Sequence, residues 1–254
     1  NITTYNRAHL IERCLNSVLR QSYSKMEIIV VDDCSTDNTF EIVSNYLQLD
    51  KRIKYFRHDN NEGNAKARNT ALKMCCGYYV AFMDDDDEWI DHHKIAKQVS
   101  VFENQEDTNL GIICTSVRLY SDANTYKDKI IQLPRNLINA ISRGNSLIYN
   151  STVMTKRSIM MEVDGFDEKL KRGIDSDFYR NIIVSRKYNV IISPDITTAV
   201  YEYGDNRITS NKINISTYEF ICKEIYIIKK YYSSYIIHID SLLYRIIKII
   251  RHVI

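Results

Sequence analysis

The sequence is poor in the features that mark several large classes of protein. Two prolines and seven glycines among 254 residues exclude collagen-like chains and proline-rich linkers. No run of residues reaches the ~20 uninterrupted apolar positions of a membrane-spanning helix. The net charge of only +2 lacks the positive excess of a nucleic-acid-binding protein, so we expect no nucleic acid among the partners.

The cysteines lack the spacing of a zinc site or of a disulfide framework. No two of them form a C-x-x-C pair, and no secretory signal precedes them. We therefore expect reduced thiols in the core and a cytoplasmic protein. The six residues are Cys14, Cys34, Cys75, Cys76, Cys114 and Cys222.

The residues that are abundant suit a globular domain with an appendage. Hydrophobic residues make up 44% of the chain and aromatic residues 11%, enough for a sizeable core. We expect a main domain over residues 1–210 and an amphipathic helical tail over residues 211–254. The chain begins with Asn1, and residues 2–4 look like the end of a strand, so we expect the first strand to lack its beginning.

The first half of the sequence alternates predicted strands and helices. Such alternation with short connections predicts an α/β fold, in which helices flank a mostly parallel central sheet. Apolar spacing predicts helices over residues 8–20, 39–49, 64–74 and 91–103, and strands over 27–31, 53–56 and 78–83. In the less regular second half we expect strands over 111–119, 151–155, 190–192 and 197–203, and a helix over 178–188.

Three polar or acidic loops each follow a predicted strand. They are residues 3–6, 32–37 and 84–88. Ligands of open α/β sheets bind outside the carboxyl ends of the strands. We therefore expect these three loops to line one crevice.

The acidic run from Asp84 to Glu88 is the strongest chemical signal. Alternate residues of an extended segment point to the same side, so Asp84 and Asp86 can converge. Carboxylate oxygens suit Mg²⁺ or Mn²⁺, and the run lies between a buried strand and the only tryptophan, Trp89. These neighbours favour a metal site over a solvated acidic loop. An EF-hand fits poorly, because Trp89 falls where that loop needs glycine.

Further candidates lie near the same crevice. A carboxylate of Asp32 or Asp33 could accept hydrogen bonds from a ribose or a base, or could cap the next helix. Arg68 follows a helix start and suits a phosphate, although surface helices commonly carry such cations. Asp175 and Asp177 precede a predicted helix, where either could act as a general base or cap the helix. The residue chemistry alone leaves these alternatives open.

Four motifs, in order and at comparable spacing, resemble those of glycosyltransferase family 2, which has the GT-A nucleotide-sugar-binding fold. The resemblance covers about residues 2–207. The motifs are TYNR at Thr4–Arg7, VDDCSTD at Val31–Asp37, FMDDDDEW at Phe82–Trp89, and GFDE at Gly165–Glu168 followed by IDSD at Ile174–Asp177.

The resemblance implies a donor-binding role for Thr3, Tyr5, Asp33, Arg68, Asp84 and Asp85. The first three would hold the nucleotide base. The arginine would lie near the base or the diphosphate, and one of the last two aspartates would contact the ribose. The donor would be a nucleotide sugar, with a UDP-sugar favoured.

The resemblance also implies a metal site and a catalytic residue. Asp86, together with Asp84, would bind Mn²⁺ or Mg²⁺, and Asp175 would deprotonate the acceptor hydroxyl. Family members invert the anomeric centre in one displacement, in which a metal neutralises the leaving diphosphate and a carboxylate on the opposite face activates the nucleophile. The acceptor would be a glycan or lipid-linked glycan on the way to a surface polymer such as lipopolysaccharide or capsule.

Several positions depart from the family pattern. Cys34 and Asp164 each stand where glycine is usual, so a positive φ at Cys34 would be strained. Ile174 replaces an acid beside the expected base, and Tyr203 stands where many relatives have a histidine near the metal. The QxxRW element of processive synthases cannot occur, because Trp89 is the only tryptophan. We therefore expect single sugar additions.

Two other functions remain open at this point. A non-catalytic sugar-nucleotide-binding protein would fit the departures at Cys34 and Ile174. A sugar nucleotidyltransferase also needs a metal and a similar sheet, but it normally has a glycine-rich loop after its first strand, and residues 3–7 contain no glycine.

The tail has an apolar and a polar side. A helix over residues 235–254 places Ile236, Ile239, Leu243, Ile246, Ile247 and Ile250 on one side, and His238, Ser241, Arg245, Lys248 and His252 on the other. This basic amphipathic pattern predicts a helix that lies in a membrane interface, which would make the protein peripheral at the inner face of the membrane. The alternative is a helix packed on the domain or on a second subunit.

Overall fold

A computed structural model describes residues 1–143, 147–203, 217–232 and 239–253. The strands in this part are Ile2–Thr4 (β1), Ile28–Asp32 (β2), Ile53–Arg57 (β3), Tyr79–Ala81 (β4), Met83–Asp84 (β5), Glu88–Trp89 (β6), Leu110–Tyr120 (β7), Tyr126–Lys129 (β8), Met154–Lys156 (β9) and Asn189–Tyr201 (β10). The helices are Ala8–Leu19 (α1), Thr39–Leu49 (α2), Asn64–Met74 (α3), Lys94–Asn104 (α4), Leu137–Ser142 (α5), Arg157–Glu162 (α6), Ile174–Val184 (α7), Thr217–Lys230 (α8) and Ile239–Val253 (α9).

The predicted parallel sheet is confirmed. Its four strands follow the order β3-β2-β1-β5, and all three pairings are parallel. Strand β2 is buried along its whole length, because each of its faces meets a different part of the core. Ile29 and Val31 pack in one cluster with Leu72 of α3, whereas Ile28 and Val30 pack in another with residues of α1 and α2. A continuous apolar run is the pattern that such double coverage requires.

The prediction of a single strand over residues 78–83 is wrong about the number of strands. The segment forms two short strands in two different sheets: β4 pairs antiparallel with β9, and β5 pairs parallel with β1. Phe82 lies between them and packs edge-on against Phe166 and Phe178. Val80, Phe82 and Met83 of the run are buried as predicted, but the change of partner at Phe82 depends on residues far away in the sequence.

A second sheet follows the order β4-β9-β7-β10-β6, with β8 paired to β7. The strands predicted over residues 190–192 and 197–203 form one strand, β10, which runs parallel to β7 with register shifts near Ser193 and Ile196. Strand β6 pairs antiparallel with β10 at Trp89. This pairing carries the chain directly out of the acidic run and into the second sheet.

Helix α7 begins at Ile174, four residues before the predicted start at residue 178. Gly173 precedes it with φ of 70°, a left-handed conformation that glycine adopts without strain. Asp175 and Asp177 therefore lie inside the first turn of α7, where acids favour the helix dipole.

Helices α8 and α9 correspond to the predicted tail. Ile236, His238 and the boundary expected between residues 210 and 211 lie outside the described residues. Among the helices that the structure does describe, none has both the length and the apolar character needed to cross a bilayer. Three of the six free cysteines, Cys14, Cys75 and Cys114, are buried as expected. The expectation of a core position is wrong for the other three, since Cys34 is half-buried and Cys76 and Cys222 are exposed.

Candidate active site

The three predicted loops meet at the carboxyl ends of β1, β2 and β5. The backbone N–H of Asn6 donates to Oγ of Ser35 at 2.8 Å, and the side-chain oxygen of Asn6 accepts from the N–H of Thr36 at 2.7 Å. The N–H of Asp33 donates to the carbonyl oxygen of Thr4 at 2.9 Å. Because the strands are parallel neighbours, their ends form one edge, and the loops after them share one crevice.

Three carboxylates of the acidic run form a cluster at this edge. Oxygen atoms of Asp84, Asp86 and Asp87 all lie within 4.8 Å of one another. Oδ1 of Asp84 accepts hydrogen bonds from Arg68 at 2.9 Å and from Asn150 at 2.7 Å. These hydrogen bonds hold one member of the cluster in place.

The acidic run is electrostatically unfavourable by itself. Burial raises the pKa of Asp85 to about 7, and the neighbouring charge of Asp86 acts in the same direction. Burial likewise raises the pKa of Asp84 above its usual value. A divalent cation would relieve this repulsion, and three converging carboxylate oxygens are the donor set that Mg²⁺ or Mn²⁺ takes. The residues of the cluster therefore fit a metal ion.

Arg7 supplies the positive charge next to the cluster. Its buried guanidinium donates from Nη1 to Oδ2 of Asp86 at 2.8 Å and lies 3.4 Å from Oδ1 of Asp85. Arg7 belongs to the TYNR motif, but no role was predicted for it from the sequence. Its position directly after the first strand was the signal that could have identified it.

A short 3₁₀ turn, Asn150–Thr152, supports the cluster from behind. Ser151 accepts from the N–H of Asp84 at 3.0 Å and donates to Oδ2 of Asp87 at 2.5 Å. Its carbonyl oxygen accepts from the indole N–H of Trp89 at 2.7 Å. No sequence pattern pointed to Asn150 or Ser151, because they lie more than 60 residues from the acids that they contact.

Of the three residues expected at the nucleotide base, Thr3 in β1 and Asp33 after β2 contact the start of α3 or the loop before it, and Tyr5 lies on the loop after β1. Oγ1 of Thr3 donates to the side chain of Asn64 at 3.0 Å. The carboxylate of Asp33 accepts from the N–H groups of Glu62 and Gly63 at 2.9 and 2.7 Å, so it anchors the loop that leads into α3. Tyr5, on the loop after β1, is 45% exposed, which leaves an aromatic surface at the crevice.

Arg68 joins two parts of the site. One nitrogen of its guanidinium donates to Asp84, and the other contacts the carboxylate of Asp175. The side chain of Asp175 is half-buried, 36% exposed with Oδ1 buried against Arg68, and through that arginine it lies next to Asp84 of the acidic cluster. The structure thus brings together Arg68, Asp84 and Asp175, which are far apart in the sequence.

The side chain of Asp177 points away from the crevice. Its carboxylate is buried and accepts from Lys230 at 2.8 Å and from the hydroxyl of Tyr231 at 3.0 Å. The guanidinium of Arg180 lies 3.4 Å away. The geometry therefore separates the two candidates: Asp175 faces the crevice, and Asp177 attaches α7 to α8.

The departures from the family motifs have local explanations. Cys34 has φ of 70° and Asp164 has φ of 61°, so both adopt the left-handed conformation that the usual glycine would allow. Ile174 is buried in the core cluster around Phe178 rather than exposed in the crevice. Tyr203 is 38% exposed, and its ring lies 5.9 Å from that of Tyr201.

Comparison with known proteins gives a consistent result. Residues 2–168 match the sequence model of the family described as "Glycosyl transferase family 2". The putative teichuronic acid biosynthesis glycosyltransferase TuaG of Bacillus subtilis is 38% identical over 154 residues, which are 61% of this chain and 60% of TuaG. WfgD of Escherichia coli, a UDP-Glc:alpha-D-GlcNAc-diphosphoundecaprenol beta-1,3-glucosyltransferase, is 43% identical over 98 residues, 39% of this chain and 38% of WfgD. The chain thus matches less than two thirds of the length of either relative.

Solved structures show the same fold. S. aureus TarS 1-349 in complex with UDP-GlcNAc has a TM-score of 0.70 at 21% identity, over 88% of this chain and 63% of that one. The mannosyltransferase PcManGT from Pyrobaculum calidifontis, in complex with GDP-Man and Mn²⁺, has a TM-score of 0.61 at 24% identity, over 82% of this chain and 56% of that one.

Proposed function

The chain belongs to glycosyltransferase family 2, and we propose that it moves a single sugar from a nucleotide-sugar donor to a hydroxyl group of a cell-surface glycan intermediate. The observation that carries this proposal is the joint placement of a carboxylate cluster, a buried arginine and an accessible carboxylate at one sheet edge. Binding alone would not need the accessible carboxylate of Asp175 beside the cluster. That residue favours a transferase over a protein that only binds sugar nucleotides.

Donor binding would involve residues at the ends of β1, β2 and β5 and one residue of α3. Thr3, Tyr5 and Asp33 would hold the base at the start of α3, and Asp84 or Asp85 would contact the ribose. Arg68 would pair with the diphosphate, since its guanidinium lies at the cluster. A UDP-sugar is the favoured donor, because the names of WfgD and of the TarS complex both contain a UDP-sugar.

Asp86 and Asp84, with Asp87 beside them, would hold Mn²⁺ or Mg²⁺. Such an ion supplies charge neutralisation for a departing diphosphate. The buried arginines Arg7 and Arg68 add two fixed positive charges at the same place. Together these groups would stabilise negative charge as it develops on the leaving group.

Asp175 would act as the general base. It would accept the proton of the acceptor hydroxyl while the new glycosidic bond forms at the anomeric carbon and the bond to the diphosphate breaks. If the acceptor approaches from the face opposite the diphosphate, the anomeric centre inverts in one step. The exposure of Asp175 to solvent supports this role, since an acceptor must reach it.

The acceptor is proposed to be a glycan or lipid-linked glycan of a surface polymer. TuaG is named for teichuronic acid biosynthesis, and the name of WfgD contains a diphosphoundecaprenol-linked sugar. A lipid-linked acceptor would place the protein at the cytoplasmic face of a membrane as a peripheral protein.

The first experiment measures melting temperature with UDP-, GDP-, CMP- and dTDP-sugars, each with and without Mn²⁺. A ligand at 100 times its Kd stabilises the folded state by about 2.7 kcal/mol, which raises the melting temperature by roughly 5–10 °C for a protein of this size. We expect such a shift with one nucleotide class and only when the metal is present. The absence of a shift with every donor would contradict the proposal.

Variants of Asp86 and Asp175 then distinguish metal binding from catalysis. Asp86→Ala should remove the metal-dependent shift, and Asp175→Asn should keep the shift but lose turnover. Asp195→Asn, at an exposed carboxylate on β10, is the control and should change neither the metal-dependent shift nor turnover. Donor binding without turnover by the unaltered protein, with a range of glycan acceptors, would favour the non-catalytic alternative.

A further inference from the structure

Helix α9 packs on the domain through its polar side. Arg245 is buried, and its Nε donates to the carbonyl oxygen of Ser142 at 2.7 Å. Its guanidinium also pairs with Glu224 of α8, which is equally buried. Lys248 lies 3.3 Å from the other oxygen of Glu224, and Ser241 donates to the side chain of Asn139 at 2.5 Å.

The apolar side of α9 therefore faces outward. Its large side chains are 40–51% exposed, and they occupy helical spacing along one stripe. The members of this outward stripe are Leu243, Tyr244, Ile246, Ile247 and Ile250. A helix on the surface of a globular domain normally buries its apolar stripe, because each large apolar side chain gains about 1.5–3 kcal/mol on full burial.

The buried carboxylate of Glu224 explains why α9 does not rotate about its own axis to bury its apolar stripe. A buried charge must be paired, and α9 supplies both cations that contact it, Arg245 and Lys248. Turning α9 to bury its apolar stripe would remove both cations from Glu224. The ion pair thus keeps the stripe exposed.

Basic groups border the outward stripe. The guanidinium of Arg143 lies 5.9 Å from the ring of Tyr244, and Arg251 is exposed at the end of the helix. Arg245 and Lys248 are engaged by Glu224, and α9 also contains Asp240, so the cationic border of the stripe consists of Arg143 and Arg251. An apolar stripe with a cationic border is complementary to the surface of an anionic phospholipid bilayer, where acyl chains lie beneath negative headgroups.

We propose that the outward stripe of α9 inserts into the headgroup region of an anionic bilayer, with the helix parallel to the membrane plane. The 15 residues of α9 extend about 22 Å along the surface. The proposal deepens the function given above and rests on it in one respect, since a lipid-linked acceptor is what the docked protein would act on. Tyr244 suits the interface, because its ring is apolar and its hydroxyl is polar.

The test uses the full chain and flotation with vesicles of phosphatidylcholine alone or with added phosphatidylglycerol. We expect the protein to float with the anionic vesicles, and the double variant I246D/I250D to lose at least tenfold in bound fraction. The control L49D/L133D carries the same charges at two exposed leucines outside α9 and should float like the unaltered protein. R143E/R251E should lose the preference for anionic over neutral vesicles.

Three results would overturn the proposal. They are no flotation of the unaltered protein, equal flotation of I246D/I250D, and a lipid-free dimer in light scattering that I246D/I250D converts to a monomer. The last result would assign the stripe to a second copy of the chain. The donor-induced melting shift of I246D/I250D, measured in parallel, keeps this test separate from that of the proposed function, because docking can fail while donor binding stays intact.

Discussion

Nη1 of Arg7 lies 2.8 Å from Oδ2 of Asp86, and both side chains belong to the crevice at the ends of β1 and β5. The same nitrogen lies 3.4 Å from Asp85. One buried cation therefore offsets the repulsion within the acidic run. This relationship links the TYNR segment to the acidic run through a contact between residues 79 positions apart.

Arg7→Met should strongly destabilise the protein. Removal of one partner of a buried ion pair costs about 3–5 kcal/mol, because the remaining charge is left without compensation. Urea unfolding should show this loss, and Mn²⁺ with donor should recover more stability in the variant than in the unaltered protein. Arg20→Met is the control, since Arg20 is half-exposed in its pair with Glu88 and should lose less than about 1 kcal/mol. Equal losses in both variants would contradict this account of Arg7.

Asp175→Asn should impair catalysis, whereas Asp177→Asn should impair stability. The first should lower kcat by about 10²–10⁴-fold, the range for loss of a general base, with the donor Kd little changed. The second should lower the free energy of unfolding by about 3 kcal/mol, because it removes a buried carboxylate that pairs with the buried guanidinium of Arg180 and with Lys230, which retains its contact with Asp167. Steady-state kinetics and urea unfolding of both variants provide the check. A larger kcat loss in Asp177→Asn would reverse the assignment.

The burial of Lys94 should make the free energy of unfolding depend on pH. Its ammonium is buried, bonds to Gln98 at 2.8 Å and lies 4.4 Å from the ring of Trp89, and burial lowers its pKa to about 7. The unfolded chain keeps this proton up to about pH 10.4, so between pH 7 and 10.4 the unfolded state binds more protons. The contribution of Lys94 to stability therefore rises with pH in this window, by at most about 1.4 kcal/mol per pH unit.

Lys94→Met should remove this rise. The stability of the variant relative to the unaltered protein should improve as the pH falls from 9.5 to 7, and should stay constant below about pH 7, where both states are protonated. Urea midpoints at several pH values measure the difference. Lys97→Met, at an exposed lysine on the same helix, should leave the rise in place. A pH-independent difference for Lys94→Met would mean that Lys94 is not neutral in the folded protein.

Cys34→Gly should stabilise the fold. A left-handed conformation costs a residue with a β-carbon about 1–2 kcal/mol, and glycine avoids most of this strain. Two losses offset part of this gain: the greater backbone entropy of glycine in the unfolded chain, and the missing thiol contact with the carbonyl oxygen of Asp59 at 3.3 Å. We therefore expect a net gain of about 0.5–1 kcal/mol. Cys34→Ala keeps the β-carbon and should give no gain. Chemical denaturation of the two variants distinguishes strain from the loss of the thiol.

Much of the local structure was predictable from the sequence. The helix predicted over residues 64–74 coincides with α3, and that over 39–49 with α2, because apolar spacing and flanking polar residues define both ends. The N-cap of α2 is Asn38, whose side chain makes no capping hydrogen bond, and Asp37 before it accepts from the N–H of Thr39 at 3.1 Å. Less was predictable in the second half, where Ser151, expected in a strand, belongs to a 3₁₀ turn that supports the acidic cluster.

The sequence by itself determined the parallel sheet, the position of the acidic run after a buried strand and the two-sided character of the tail, because periodicity and residue chemistry are properties of neighbouring residues. Tertiary structure alone decided that Asp175 rather than Asp177 faces the crevice, that the chain changes sheets at Phe82, and that α9 exposes its apolar side. Each of these outcomes depends on a partner far away in the sequence: Arg68 for Asp175, Lys230 for Asp177, and Glu224 for Arg245. Which charged group is buried beside which counter-charge is settled only when distant segments pack together.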